Sequence, residues 1–198
     1  MADIPVNSAR RRFLTGSATA VGAVGMGFVG VPFLSSFEPS AKAEAAGAPV
    51  DINIAKLVPG QMVTVAWRGQ PIYVVNRTDK MIEALPSLDS QLLDPDSKQV
   101  TQQPQYADNF YRSRKKSIFV VVGICTHLGC APTYRPEVAP KDLGPEWKGG
   151  FFCPCHGSKY DLAGRVYKSM PAPLNLLVPD YIFASEDLIR VGVAEKKA

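Results

Sequence analysis

The sequence predicts an all-β domain of antiparallel sheets that is preceded by one membrane-spanning helix. Three observations carry this prediction: an uncharged stretch of 25 residues near the N-terminus, short β-rich runs separated by turn residues from Asp51 onward, and no long helical periodicity after residue 50. The 198 residues leave room for one domain of ordinary size and an anchor. Hydrophobic residues at 46% and charged residues at 20% are globular values, which exclude a disordered or collagen-like chain.

Residues 13–37 are predicted to form the transmembrane anchor, because they carry no charge and exceed the roughly 20 helical residues that a bilayer requires. A buried core helix is the alternative, but an amphipathic helix would show a polar face. Three arginines at residues 10–12 predict that residues 1–12 stay in the cytoplasm. This flank resembles the twin-arginine export signal. The small residues around Lys42 leave a cleaved signal peptide open, although the apolar run is long for one.

Residues 38–50 are predicted to be a flexible hinge, because the run from 38 to 49 consists largely of Ala, Gly, Ser and Pro and has no large apolar side chain. Residues 51–198 are predicted to form the exported domain. Its expected strands are 62–67, 71–77, 117–124, 174–178, 181–184 and 188–193, with a hairpin turn at 68–70. The polar segment 86–112 is expected to be an insertion, whose structure the pattern does not define.

The charges argue against a nucleic-acid partner. The net charge is +4, of which residues 38–198 contribute only about half. One basic run, Arg112, Arg114, Lys115 and Lys116, precedes the first cysteine. Such runs are usually solvated faces, and docking to an acidic partner is the weaker interpretation.

All four cysteines and both histidines fall in one window of 32 residues, from Cys125 to His156. They form two motifs, C-T-H-L-G-C from residue 125 and C-P-C-H-G-S from residue 153. Covalent haem attachment needs C-x-x-C-H, so it fails on spacing. Two near-equivalent Cys/His groups are also more than a cysteine protease needs. A mononuclear zinc site with two Cys and two His remains an alternative.

The paired motifs resemble the two cluster-binding loops of the Rieske iron–sulfur proteins, in particular the Rieske subunits of quinol:cytochrome c oxidoreductases. The export-like anchor, the small-residue linker and the sequence Met170-Pro171-Ala172-Pro173 stand where that family has corresponding parts. The resemblance implies a Rieske-type antiparallel β-sheet domain whose two-loop cluster-binding part covers about residues 120–173, and one 2Fe-2S cluster as cofactor.

The resemblance also implies a role for each residue of the two motifs. Cys125 and Cys153 would be the thiolate ligands of one iron, and His127 and His156 the imidazole ligands of the other. Four protein ligands match a cluster in which two bridging sulfides complete each iron. Cys130 and Cys155 would form a disulfide between the loops, which suits the oxidising side of a bacterial inner membrane.

Further roles are implied around the cluster. The hydroxyls of Ser158 and Tyr160 would donate hydrogen bonds to cluster sulfurs, and an exposed His156 would contact quinol. The residues expected to shield the cluster are Leu128, Pro171, Ala172 and Pro173. Met170 departs from the family, in which Gly commonly precedes Pro-Ala-Pro, and this leaves the shape of the segment undefined.

Neutral imidazoles in place of two thiolates reduce the negative charge of the cluster, so an added electron costs less electrostatic work. Rieske centres accordingly lie at roughly −150 to +300 mV, compared with about −400 mV for all-cysteine plant-type clusters. The resemblance implies electron transfer from ubiquinol to a c-type cytochrome in a respiratory complex that also contains cytochrome b, works as a dimer and releases protons. A Rieske carrier independent of that complex, such as the small subunit of arsenite oxidase, is the alternative.

Overall fold

Helix α1, Ser8–Ser35, is the one helix among the described residues that is long and apolar enough to cross a membrane. The computed structural model describes residues 7–194, and the chain divides into two units between Ala45 and Ala46. The side chain of Asn7 caps α1 by accepting a hydrogen bond from the Arg10 amide at 3.1 Å. The helix therefore begins before the predicted span and includes the three arginines. At 28 residues it is about 42 Å long.

Residues 38–50, predicted to be a hinge, include a short helix, α2, Ala41–Gly47. The Ser40 hydroxyl oxygen accepts the Ala43 amide at 3.2 Å, which is an N-cap contact that the composition did not suggest. Within the second unit, the Arg68 amide and the Trp67 indole N–H donate to the carbonyls of Ala46 and Ala48, at 3.2 and 3.0 Å. The last residues of the linker are thus fixed to the folded domain.

Nine strands form three antiparallel sheets in the described part of the second unit. The strands are β1 Val50–Asn53, β2 Met62–Trp67, β3 Gln70–Asn76, β4 Ile118–Val122, β5 Thr133–Arg135, β6 Gly150–Phe152, β7 Lys159–Tyr160, β8 Tyr181–Ser185 and β9 Leu188–Val191. The sheet orders are β1-β9-β8, β2-β3-β4 and β5-β6-β7. The predicted all-β architecture is confirmed.

The β2–β3 hairpin forms where the sequence predicted it. Arg68 and Gly69 have φ values of 51° and 72°, as a two-residue turn between twisted strands requires, and Trp67 pairs with Gln70. Strand β4 continues this sheet, and all five of its side chains are buried. A fully buried strand explains why its sequence is continuously apolar and does not alternate.

The predicted strand at 174–178 is wrong. This segment is apolar, but its backbone bonds to several separate partners and to no single neighbouring strand. The Leu176 amide donates to the Gly164 carbonyl, the Val178 amide donates to the Gln102 carbonyl, and the Leu177 carbonyl accepts the Val122 amide. Pro173 and Pro179, which lack an N–H, limit a ladder at both ends.

Short helices occupy the part of the chain before β4 that the pattern left undefined. Helix α3, Asp79–Ala84, is capped by the Thr78 hydroxyl, and 3-10 helices follow at Leu85–Gln91, Val100–Gln102 and Gln105–Ala107. Leu88 and Leu92 of this region join three residues from elsewhere in an apolar group that we call the satellite cluster. Its buried members are Leu88, Leu92, Leu143, Trp147 and Tyr167.

The expectation of a solvated basic run is wrong for Arg112. Lys115 and Lys116 are exposed, but Arg112 is completely buried. Burial lowers the pKa of Arg112 to about 10, which still leaves the guanidinium charged at neutral pH. Its guanidinium donates to Gln102 O, Gln103 Oε1, Ala163 O, Gly164 O and Leu176 O. A run of basic residues in the sequence does not show which of them will be buried as a hydrogen-bond donor to backbone carbonyls.

Candidate functional site

The two cysteine loops lie at the same end of the strands in the sheet β5-β6-β7. The first loop, residues 125–130, leads into β5, and the second, residues 153–158, connects β6 to β7. Thr133 at the beginning of β5 pairs with Phe152 at the end of β6 in the antiparallel register. This register places the end of the first loop beside the beginning of the second.

Both loops close through the same pair of backbone hydrogen bonds. In the first loop the Cys125 amide donates to the Cys130 carbonyl at 2.7 Å, and the Gly129 amide donates to the Cys125 carbonyl at 3.0 Å. In the second, the Cys153 amide donates to the Ser158 carbonyl at 2.8 Å, and the Gly157 amide donates to the Cys153 carbonyl at 2.9 Å. Gly129 and Gly157 have φ values of +85° and +76°, which explains the glycine four residues after each leading cysteine.

A disulfide between Cys130 and Cys155 joins the loops, and this prediction is confirmed. The bond spans 25 residues of sequence. It also explains why three sulfurs, those of Cys130, Cys153 and Cys155, lie within 4.8 Å of one another. Two of these sulfurs are bonded to each other, so the group is not a set of three metal ligands.

Cys125 and Cys153 are free thiols, and each is only 2% exposed. Burial raises the pKa of the Cys153 thiol, and its neighbour Cys125 acts in the same direction. The Cys153 thiol therefore favours its protonated form unless a cation is bound to the sulfur. Iron is such a cation, and thiolates are its usual protein ligands in iron–sulfur sites.

His127 and His156 lie side by side, each two or three residues after the leading cysteine of its loop. Their ring centroids are 4.7 Å apart, and the rings are nearly perpendicular. His156 is exposed, whereas the Nδ1 atom of His127 is buried and has no hydrogen-bond partner in the described structure. A buried, unpartnered imidazole nitrogen is costly in a protein interior, and a metal bond removes that cost.

Tyr160 lies behind the first loop with its hydroxyl 3.2 Å from the Cys125 sulfur. The Thr126 amide donates to the phenol oxygen at 3.2 Å, and the Thr126 hydroxyl donates to the Leu174 carbonyl at 2.7 Å. Because the Thr126 hydroxyl proton is donated to Leu174, the acceptors left for the phenol proton are the Cys125 sulfur and the Thr126 oxygen, both at 3.2 Å. Burial raises the pKa of Tyr160, which keeps the phenol protonated as a donor.

Ser158 is fully buried, and its hydroxyl oxygen accepts the Ala172 amide at 3.2 Å. Since the oxygen accepts this bond, the hydroxyl proton is left for another acceptor. Ala172 is also fully buried, whereas Pro171 and Pro173 beside it are exposed. Leu128 at the tip of the first loop is 72% exposed. The structure thus joins the proline segment to the second loop through the bond between Ala172 and Ser158.

The residues present fit a 2Fe-2S cluster with mixed ligation. The site offers two buried thiols, an unpartnered imidazole nitrogen with a second imidazole beside it, and a phenol directed at one of the sulfurs. The structure brings together every residue that the two motifs predicted. Sequence reasoning missed the Thr126 hydroxyl and the Ala172 amide, because their partners lie 48 and 14 residues away along the chain.

Comparisons with known proteins identify what the chain is similar to. Residues 89–181 match the family described as Rieske 2Fe-2S domain, and residues 1–40 match the Ubiquitinol-cytochrome C reductase Fe-S subunit TAT signal. The ubiquinol-cytochrome c reductase iron-sulfur subunit of Allochromatium vinosum is 54% identical over 94% of this chain and 90% of that protein. The subunit of the same name from Blastochloris viridis is 44% identical over 92% of both chains.

A solved structure described as a hyperthermophilic respiratory Complex III contains a chain that is also similar. Its sequence identity to this chain is 25%, and its TM-score is 0.49. The match covers 88% of this chain and 98% of that one.

Removal of the disulfide should destabilise the two loops without preventing folding. Replacing both Cys130 and Cys155 by Ala is expected to lower the free energy of unfolding by about 3 kcal/mol, because the bond closes a loop of about 26 residues. Non-reducing mass spectrometry of the native chain should find the cross-linked peptide, and alkylation before unfolding should leave both cysteines unlabelled. Labelling of both in the native protein would contradict the bond.

Proposed function

Because the chain belongs to the family of ubiquinol-cytochrome c reductase iron–sulfur subunits, we propose that it passes single electrons from ubiquinol to a c-type cytochrome. The family membership, the Rieske fold and the 2Fe-2S cofactor predicted from the sequence are confirmed. The chain is a subunit of an oxidoreductase, and it acts within that assembly rather than alone. The observation that carries the proposal is the paired-loop site, which has one free buried thiol and one histidine in each loop.

The four ligands are Cys125, Cys153, His127 and His156. The cysteines are buried in the main core, the apolar group that also contains the buried side chains of β3, β4 and Phe151. The sulfur side of the site is therefore dry, whereas His156 faces solvent. When bound, the cluster supplies a centre that accepts and releases one electron at a time. The unequal burial of the ligands gives that centre a protected side and an accessible side.

The accessible side is where quinol binds. The exposed imidazole of His156 can hold a hydrogen bond to a quinol oxygen through the ring nitrogen that faces solvent. Leu128 and Pro171 are exposed apolar groups, which we expect to exclude water from the contact. Behind the site, the hydroxyls of Ser158 and Tyr160 donate toward sulfur and stabilise additional negative charge there.

We also propose partners and a location, which the family membership supports. The partners are a cytochrome b subunit, which completes the quinol site, and a c-type cytochrome subunit, in a complex that is a dimer. Residues 13–37 anchor the chain in a bacterial inner membrane. The three arginines at residues 10–12 keep the N-terminus in the cytoplasm, and the domain from residue 51 onward is in the periplasm.

Residues 38–50 act as a tether that lets the domain reach two redox partners in turn. The side chains of residues 41–46 are exposed, and a helix of seven residues is marginal on its own. Extending residues 41–45 of α2 from about 1.5 to about 3.3 Å per residue would lengthen the tether by about 9 Å. The bonds from Trp67 and Arg68 to Ala48 and Ala46 fix where the tether ends.

The ligand assignment is tested by replacing each of the four residues with Ala. Each replacement is expected to abolish the cluster, because one iron loses a protein ligand and the remaining three cannot close the site. The measurements are iron and acid-labile sulfide content and the electron paramagnetic resonance spectrum of the reduced full-length chain in membranes. Ubiquinol:cytochrome c activity should be lost with the cluster.

The double replacement of Cys130 and Cys155 by Ala is the matched control, because it removes two cysteines from the same loops without removing a ligand. It should retain iron and sulfide on rapid isolation and lose them faster than the parent. A wild-type amount of cluster in any of the four ligand variants would contradict the assignment. One zinc and no sulfide in the parent chain would contradict the proposal as a whole.

Loss of either donor hydroxyl should lower the midpoint potential and slow quinol oxidation while the cluster remains. For Ser158→Ala and Tyr160→Phe we expect decreases of up to about 100 mV each, since a hydrogen bond to a charged acceptor contributes about 1.5–3 kcal/mol. A difference of 1.4 kcal/mol corresponds to about 59 mV for one electron. The matched control is Tyr134→Phe, because the Tyr134 hydroxyl donates to the Gly60 carbonyl at 3.0 Å and not to a sulfur. Potentials unchanged in both variants would show that these hydroxyls point elsewhere.

Stiffening the tether should slow turnover at constant cluster content. Replacing Ala43 and Ala45 by Pro, or deleting residues 43–45, is expected to reduce ubiquinol:cytochrome c activity at least tenfold, because the domain then reaches only one partner. The control is Lys42→Ala, which retains α2. The midpoint potential and the electron paramagnetic resonance spectrum of the cluster should not change in any of these variants. Full activity with the prolines present would mean that motion through this segment is not required.

A further inference from the structure

Met170 lies between the two apolar groups of the domain. Its side chain packs against the main core, which contains the free cysteines, and also against the satellite cluster. It is partly buried and stands next to Pro171 in the segment whose Ala172 amide bonds to Ser158. This side chain therefore connects the segment beside the site to a group of residues far from it.

Hydrogen bonds hold the segment from Ser169 to Pro173 at each end. On one side, Lys168 donates from its amide to the Gln91 carbonyl and from its ammonium to the Ser90 carbonyl, both at 2.8 Å. On the other side, the Leu174 carbonyl accepts the Thr126 hydroxyl. Between these ends Pro171 and Pro173 have no N–H to donate. The packing of Met170 and the amide of Ala172 hold the middle of the segment.

A cavity of about 330 Å³ adjoins Met170 on the satellite side. Its other walls include Trp147, Tyr167 and Lys159. Met170 is a wall of this cavity and also contacts the main core. Truncating its side chain would enlarge the cavity toward the core that contains Cys153. The segment would then have an unfilled space beneath it and room to move.

We infer that Met170 is a positioning residue for the Ser158 hydroxyl, and this inference rests on the proposed function. By filling the space between the main core and the satellite cluster, Met170 holds Ala172 so that its amide donates to the Ser158 oxygen. That bond fixes the orientation of the hydroxyl, whose proton then points at cluster sulfur. Met170 itself touches neither substrate nor cluster, and its effect on the cluster passes through Ser158.

The test compares Met170→Ala with Met170→Leu, which keeps most of the volume. Both are made in the parent chain and in Ser158→Ala, and Met170→Val serves as a milder truncation should Met170→Ala fold poorly. In the parent chain, Met170→Ala should lower the midpoint potential, whereas Met170→Leu should leave it unchanged. In the Ser158→Ala background, neither replacement should change the potential. Amide hydrogen exchange of residues 169–174 should become at least tenfold faster in Met170→Ala and not in Met170→Leu.

Iron and sulfide content, measured first, separates this inference from the proposed function. A parent chain without iron or sulfide would contradict the proposed function. With the cluster present, an unchanged potential in the truncated variants would overturn the inference. Equal decreases of potential in the parent and in the Ser158→Ala background would also overturn it, because the effect would then not pass through Ser158.

Discussion

The domain depends on holding two buried thiols and two imidazoles on one side of a three-stranded sheet. Each loop closes with the same two backbone hydrogen bonds and a glycine of positive φ, so each presents its cysteine inward and its histidine toward the other loop. The Cys130–Cys155 bond then joins the loops directly. The pairing of β5 with β6 sets where the loops meet, and the rest of the domain supports that sheet.

Two sets of hydrogen bonds join the polar groups behind the loops. The Leu174 carbonyl fixes the Thr126 hydroxyl, which leaves the phenol of Tyr160 facing the Cys125 sulfur. The Ala172 amide likewise donates to the Ser158 oxygen, so the Ser158 hydroxyl proton is left for another acceptor. Both sets of bonds end in the segment around 170–174, so the positions of the Ser158 and Tyr160 hydroxyls depend on that segment.

The sequence predicted the residues of the two loops better than it predicted the segments that pack around them. The resemblance carried by the cysteine and histidine motifs predicted the disulfide, which the structure confirms, and the four ligands, which remain a prediction. The strand at 174–178 was wrong since apolar residues alone do not determine hydrogen-bond partners. The burial of Arg112 was missed for a related reason, because its acceptors are carbonyls from distant segments. Such contacts depend on tertiary geometry, which no local pattern of side chains encodes.

The central claim is that one iron is held by two cysteines and the other by two histidines. The most direct measurement is electron–nuclear double resonance of the reduced full-length chain labelled with nitrogen-15 in histidine only. Two inequivalent histidine nitrogens coupled to the electron spin are expected, and both couplings should disappear with the cluster in His127→Ala and His156→Ala. A reduced cluster that shows no histidine nitrogen coupling, or coupling to only one, would contradict the account.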